Sequence, residues 1–124
     1  MEKQVLVPAR VRVVPRQFSW IDQRVVRDGY WERCDTHALA LYLFLVTVAD
    51  AQGLSYYSDR SLGSYLKWDL PRLEQARQGL MAADLIAYQK PLYQVLSLQP
   101  LSKAQTGTAL SLGQLLRRAM EKKP

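Results

Sequence analysis

The chain is poor in the residues on which catalysis and metal binding most often rest. Its 124 residues include one cysteine, Cys34, and one histidine, His37. A lone cysteine excludes an internal disulfide and any CxxC metal spacing. His37 has no second histidine or cysteine beside it to share a metal ion. There is no phosphate-binding GxxxxGK run, no GxSxG elbow, no HExxH helix and no pair of carboxylates spaced for acid–base work. The sequence therefore predicts a protein without catalysis, cofactor or metal. Long apolar runs are also missing. The longest, Ala38 to Ala49, is interrupted by Thr47 and reaches about a dozen residues, where a bilayer span needs roughly 20. The opening MEKQVLVPARVRVVP interleaves charge with its apolar residues, unlike a signal peptide. A soluble, cytoplasmic protein without membrane contact is the expectation, in keeping with the single thiol.

What is present is an ordinary globular composition, 48% hydrophobic and 23% charged. A chain of this length buries roughly two-thirds of the surface it exposes when unfolded, enough for one core. The net charge of +6 points toward nucleic acid, but its distribution is uneven. Residues 1–16 hold Lys3, Arg10, Arg12 and Arg16 against Glu2. Residues 101–124 hold Lys103, Arg117, Arg118, Lys122 and Lys123 against Glu121. The middle, 17–100, carries eight basic and nine acidic residues. The positive excess lies in the two ends, so the chain divides into a basic arm (1–16), a central domain (17–100) and a polar linker with a basic tail (101–124).

Local patterns supply the elements. Pro8 and Pro15 around the alternating VRVV suit an extended arm or an edge strand. Trp20, Ile21, Val25 and Val26 recur near helical spacing, predicting a short helix over about 20–27, capped by Ser19 and stopped at Gly29, with Tyr30 and Trp31 packing on the body. Asp35 is placed to cap a helix from Thr36 to about Ala51, apolar almost all round and so buried on most sides. LSYYS, 54–58, reads as a strand. Ser58 then caps a helix over 59–66 with Leu62, Tyr65 and Leu66 inward. After Lys67-Trp68-Asp69, a helix over about 70–83 carries the stripe Leu73, Ala76, Leu80 and Met81. Residues 85–89 and 92–98 read as strands joined at Lys90-Pro91. In the tail, Leu112, Leu115, Leu116 and Ala119 fall on one side of a short helix.

That order is the one found in a winged helix-turn-helix: an α+β fold, mainly helical, with a short three-stranded wing sheet and, here, extra N- and C-terminal segments. The stretch LYLFLVTVADAQGLSYYSDRSLGSYLKWDLPRLEQARQGLMAADLIAYQ also resembles the winged-helix domain of plasmid replication initiators, DnaD-type primosome proteins and small regulators of mobile elements. The shared pattern is an apolar helix with LYxxL, a polar-Gly turn and an aromatic-Ser strand. A short helix ending in leucine and a longer one closing on Leu-Ile complete it. It covers residues 39–98. Two positions depart: Lys67 and Asp84 stand where the family places glycine. Arg77 stands where many relatives have an apolar residue.

The resemblance implies binding of double-stranded DNA, in transcription control or replication of a plasmid or mobile element. The 70–83 helix would then be the reading element. Arg72, Gln75 and Gln78 face outward and are the side-chain types that pair bidentately with guanine and adenine edges, each worth about 1–3 kcal/mol of discrimination. Glu74 shares that face. Arg77 is open between a phosphate contact and a surface ion pair. Lys67, Arg60 and Ser61 flank the inter-helix turn and would position phosphates, as would Lys90 at the hairpin tip. Arg10, Arg12 and Arg16 suit a minor groove or flanking phosphates, unless the arm docks as an edge strand. Arg117 and Arg118 would add salt-sensitive attraction. The expected partners are duplex DNA, a second copy of the chain through segment 18–33 or the leucine-rich tail, and replication or transposition proteins. The competing expectation is a scaffold that binds protein alone.

Overall fold

The computed structural model describes residues 2–98. It is an α+β fold with a small three-stranded antiparallel sheet. Its elements are α1 (Arg24–Arg27), α2 (Thr36–Val48), β1 (Leu54–Tyr56), α3 (Asp59–Leu66), α4 (Leu70–Ala82), β2 (Ile86–Gln89) and β3 (Leu92–Val95). Short 3-10 turns cover Pro8–Arg10 and Trp31–Arg33.

Three helices begin at residues whose side chains satisfy a first-turn amide. The Asp35 carboxylate accepts from the Ala38 N–H at 2.8 Å, the Ser58 hydroxyl from Ser61 at 3.1 Å and the Asp69 carboxylate from Arg72 at 3.0 Å. Pro71 sits in the first turn of α4, where its missing N–H costs nothing. α2 buries Ala38, Leu41, Tyr42, Leu45 and Val46, half-buries His37, Leu39, Phe44 and Val48, and exposes the single stripe Thr36, Ala40, Leu43 and Thr47, so it is covered on most sides as expected. It stops at Val48, before the expected end near Ala51. Asp50 takes over the chain there, its carboxylate accepting from the N–H groups of Gln52 and Leu54. Gly53 follows at φ +84°, and a Cβ at that position would lie 2.5 Å from the Val95 carbonyl oxygen.

α3 ends on Lys67 in the left-handed region, φ 60°, and Asp84 after α4 has φ 64°. Both backbone conformations are those for which glycine would be the usual residue. α3 and α4 thus meet across the turn Lys67-Trp68-Asp69. β3 runs between β1 and β2, with Ser55 and Tyr88 both registered on Tyr93. A two-residue loop, Lys90-Pro91 with a cis peptide bond, joins β2 to β3. Leu41 and Leu45 of α2, Leu62 of α3, Leu73 and Leu80 of α4, Leu85 and Tyr93 form the center of one core.

Several expectations need correction. The helix over 20–27 shrinks to Arg24–Arg27, and Ser19 does not cap it. The Ser19 hydroxyl instead donates to the Thr47 carbonyl at 3.0 Å, and Asp22 receives the Arg24 N–H. Only Val25 and Tyr30 of this segment reach the core; Trp20, Ile21 and Trp31 are exposed. A segment with two anchors gains too little burial to extend a helix. Gly29, at φ +87°, ends it as expected. Tyr65 and Met81 are exposed rather than inward, because each lies at the margin of its helix's buried side. The arm joins no strand: residues 2–20 are all exposed, and the sheet consists of β1, β3 and β2 alone among the described residues. The expected strands over 54–58, 85–89 and 92–98 are shorter than read. The tail expectations, including Arg117 and Arg118, lie outside the described residues. No helix among the described residues is long and apolar enough to cross a membrane.

Candidate nucleic-acid interface

The two faces of α4 are set by its helical spacing. Leu73, Ala76, Arg77 and Leu80 are buried, at positions i, i+3, i+4 and i+7. Arg72, Glu74, Gln75 and Gln78 are exposed on the other side. Arg60, Ser61, Lys67 and Lys90 are exposed as well. Arg60 shares a cleft of about 330 Å³ with Asp69, Leu70 and Leu73, so the start of α3 faces the start of α4. The structure thereby brings Arg60 to the N-terminal end of α4. Lys90 occupies the hairpin tip, on an element that packs against α4 through β2. Arg10, Arg12 and Arg16 stand on the exposed arm and form no ion pair among the described residues.

Arg72 is more constrained than its sequence position suggests. One guanidinium nitrogen lies 2.6 Å from Nε2 and 2.9 Å from Nδ1 of His37, at the start of α2. The His37 ring meets Trp68 edge-on at a centroid distance of 5.4 Å. Arg72 therefore leans toward α2, although it remains exposed. His37 serves as a contact between α2, the inter-helix turn and α4.

Arg77 is placed on the inside. It is 6% exposed, and its Nη1 donates to Asp59 Oδ1 at 2.9 Å and to the Tyr93 hydroxyl at 2.8 Å. Its guanidinium carbon lies 4.3 Å from the centroid of the Tyr88 ring. Burial opposes its charge, but the hydrogen bonds it donates to Tyr93 and Asp59 outweigh this and leave its pKa raised. Burial pushes the Tyr93 hydroxyl up to about 12, against the lowering effect of Arg77. This removes Arg77 from the outward contact set. It is an internal brace that ties α4 to the start of α3 and to both strands of the hairpin. Its ion pair with Asp59 is interior, neither the surface pair nor the phosphate contact expected of it. Sequence reasoning missed Asp59, Tyr88 and Tyr93 as its partners. A signal existed: Arg77 falls at the i+4 position of the apolar stripe that begins at Leu73.

Cys34 is half-buried, and burial pushes its thiol pKa up, away from thiolate character. The half-buried Asp22–Arg24 pair, at 2.7 Å, holds the Asp22 carboxyl below its usual range. Comparison with protein families, with characterised proteins and with solved structures finds no match to this chain.

Proposed function

We infer that the chain is a winged helix-turn-helix protein that binds double-stranded DNA, with α4 entering the major groove and the β2–β3 hairpin as the wing. The observation that carries this reading is the polar outer face of α4, the second helix of a helix-turn-helix pair, standing beside a three-stranded sheet. The strand order β1-β3-β2 and the succession helix, strand, helix, helix, hairpin support the same assignment. Gln75 and Gln78 read base edges; Arg72 does so after leaving His37. Arg60, Ser61, Lys67 and Lys90 take phosphates, and Arg10, Arg12 and Arg16 follow the flanking backbone or minor groove. The reading is of a binder with no chemistry of its own, at home in the cytoplasm. Transcription control or replication of a plasmid or mobile element is the context its resemblance implies.

Salt titration of binding to a random duplex tests it. Each phosphate contact contributes a slope of about −0.9 to log K against log salt. Replacing Arg10, Arg12 and Arg16 together by alanine should therefore reduce the slope by about 2 to 3 units. A slope near zero for the unaltered protein sinks the DNA reading. Selection from a random library adds the specificity test: an Arg72→Ala, Gln75→Ala variant with unchanged sequence preference would remove α4 as the reading element.

The balance of eight basic against nine acidic residues over 17–100 favours a second reading, a scaffold that binds replication or transposition proteins. A flat salt slope with retained protein binding would select it.

A further inference from the structure

The arm of this chain leaves large apolar side chains uncovered, and it departs from the body beside a groove. Residues 2–20 are exposed throughout, yet they include Val5, Leu6, Val7, Val11, Val13 and Val14, with Leu6 91% exposed. Phe18 and Trp20 continue the series, Trp20 at 73%. Such a density of uncovered large apolar side chains is unusual for a surface segment and marks a contact region.

Beside the point where the arm leaves the body is a groove of about 540 Å³. Phe18 and Trp20 of the chain itself, the half-buried Ala49, Val95 and Leu96, and the buried Tyr42, Val46 and Leu98 form its apolar part. Asp50 and the Asp22–Arg24 pair form its polar part. The chain enters this groove only from Phe18 onward; no residue of the arm before Phe18 lines it. The groove has a net negative charge and the arm a net positive one.

We propose that this groove receives the arm of a second copy of the chain, so that two copies exchange arms about a two-fold axis. Knob and hole on one chain make the contact self-complementary, and reciprocal insertion closes the assembly at two. The arm departs at Phe18, on the lip of its own groove, so neighbouring copies reach each other's grooves without a long crossing. Extended backbone sends successive side chains to opposite sides. From Val11 onward the backbone is extended, so Val11 and Val13 can enter the partner while Arg12 faces away, free for the phosphate contacts described above. The association needs no DNA, so it stands or fails independently of the DNA reading.

Light scattering of the full chain without DNA, at roughly 100 μM, tests it. The expected mass is twice the 14.2 kDa of one chain. Val11→Asp/Val13→Asp on the arm and Ala49→Arg in the groove should each give monomers with unchanged circular dichroism. The arm substitutions touch only exposed positions, so the fold is not at risk from them. A monomeric unaltered protein overturns the proposal, which is also the result expected if residues 99–124 cover the groove in cis. A dimer that persists in the arm variant overturns it equally.

Discussion

Replacing Arg77 by methionine is the sharpest test of how the molecule is held together. The substitution keeps an unbranched stem of similar reach in the core but removes the guanidinium from Asp59, Tyr93 and Tyr88. The Tyr93 residue has no exposed surface, so its hydroxyl would lose its partner with no water to replace it. An unsatisfied buried group of this kind costs about 1–3 kcal/mol. Asp59 keeps 27% of its side chain exposed and can rehydrate, so its loss adds on the order of 1 kcal/mol or less. The figure of about 3–5 kcal/mol for breaking a fully buried pair is therefore a ceiling. Relief of the guanidinium's own desolvation works the other way. A loss of about 2–3 kcal/mol is expected, a large share of the 5–15 kcal/mol typical of a small domain. Urea unfolding measures it, as a lower midpoint with an unchanged m value. Gln78→Met, at an exposed position of the same helix, is the control and should stay within about 0.5 kcal/mol. A double-mutant cycle with Tyr93→Phe should show coupling of at least about 0.5 kcal/mol. If Arg77→Met is as harmless as the control, or the cycle shows no coupling, the brace is not what joins α4 to α3 and the hairpin.

The raised Tyr93 pKa implies an alkaline limit. Its folded value of about 12 lies above the ordinary 10.0, so its contribution is fully present below pH 10 and is lost as pH rises through 12. Unfolding free energy should fall by about 1.4 kcal/mol per pH unit across that window, and Tyr93→Phe should flatten this part of the profile. Unchanged slopes in the two proteins would show that Tyr93 ionises as freely folded as unfolded. Asp69→Ala removes the cap on α4 and should cost about 1 kcal/mol in thermal or urea unfolding, most of it regained in Asp69→Ser. Asp84→Gly, at φ 64°, should raise stability by up to about 1 kcal/mol; a loss would mean that the left-handed conformation carries no strain.

Much of the local architecture was legible in residue order because its causes are local. Asp35, Ser58 and Asp69 each accept from an amide three residues on, so cap and helix start can be read from one short stretch. Gly29 and Gly53 mark turns for a similarly local reason, their positive φ. The 20–27 helix was misread because apolar spacing there reports a tendency, while burial decides whether it is used; Trp20 and Ile21 found no core to join. The candidate site divides likewise. The outward placement of Gln75 and Gln78 follows from the period of the helix, whereas the tether of Arg72 to His37 spans 35 residues of sequence.

The sequence by itself determined where α2, α3 and α4 start, where the backbone must turn and which face of α4 is polar, since each depends on neighbours within about one helical turn. Only the tertiary structure decided the strand order β1-β3-β2, the inward burial of Arg77 and the separation of the apolar arm from the body. Asp59 and Tyr93 lie 18 and 16 residues from Arg77 in the chain, and no local rule brings them to the same nitrogen. Packing does so, because a buried cation persists only where folded elements converge to supply its acceptors.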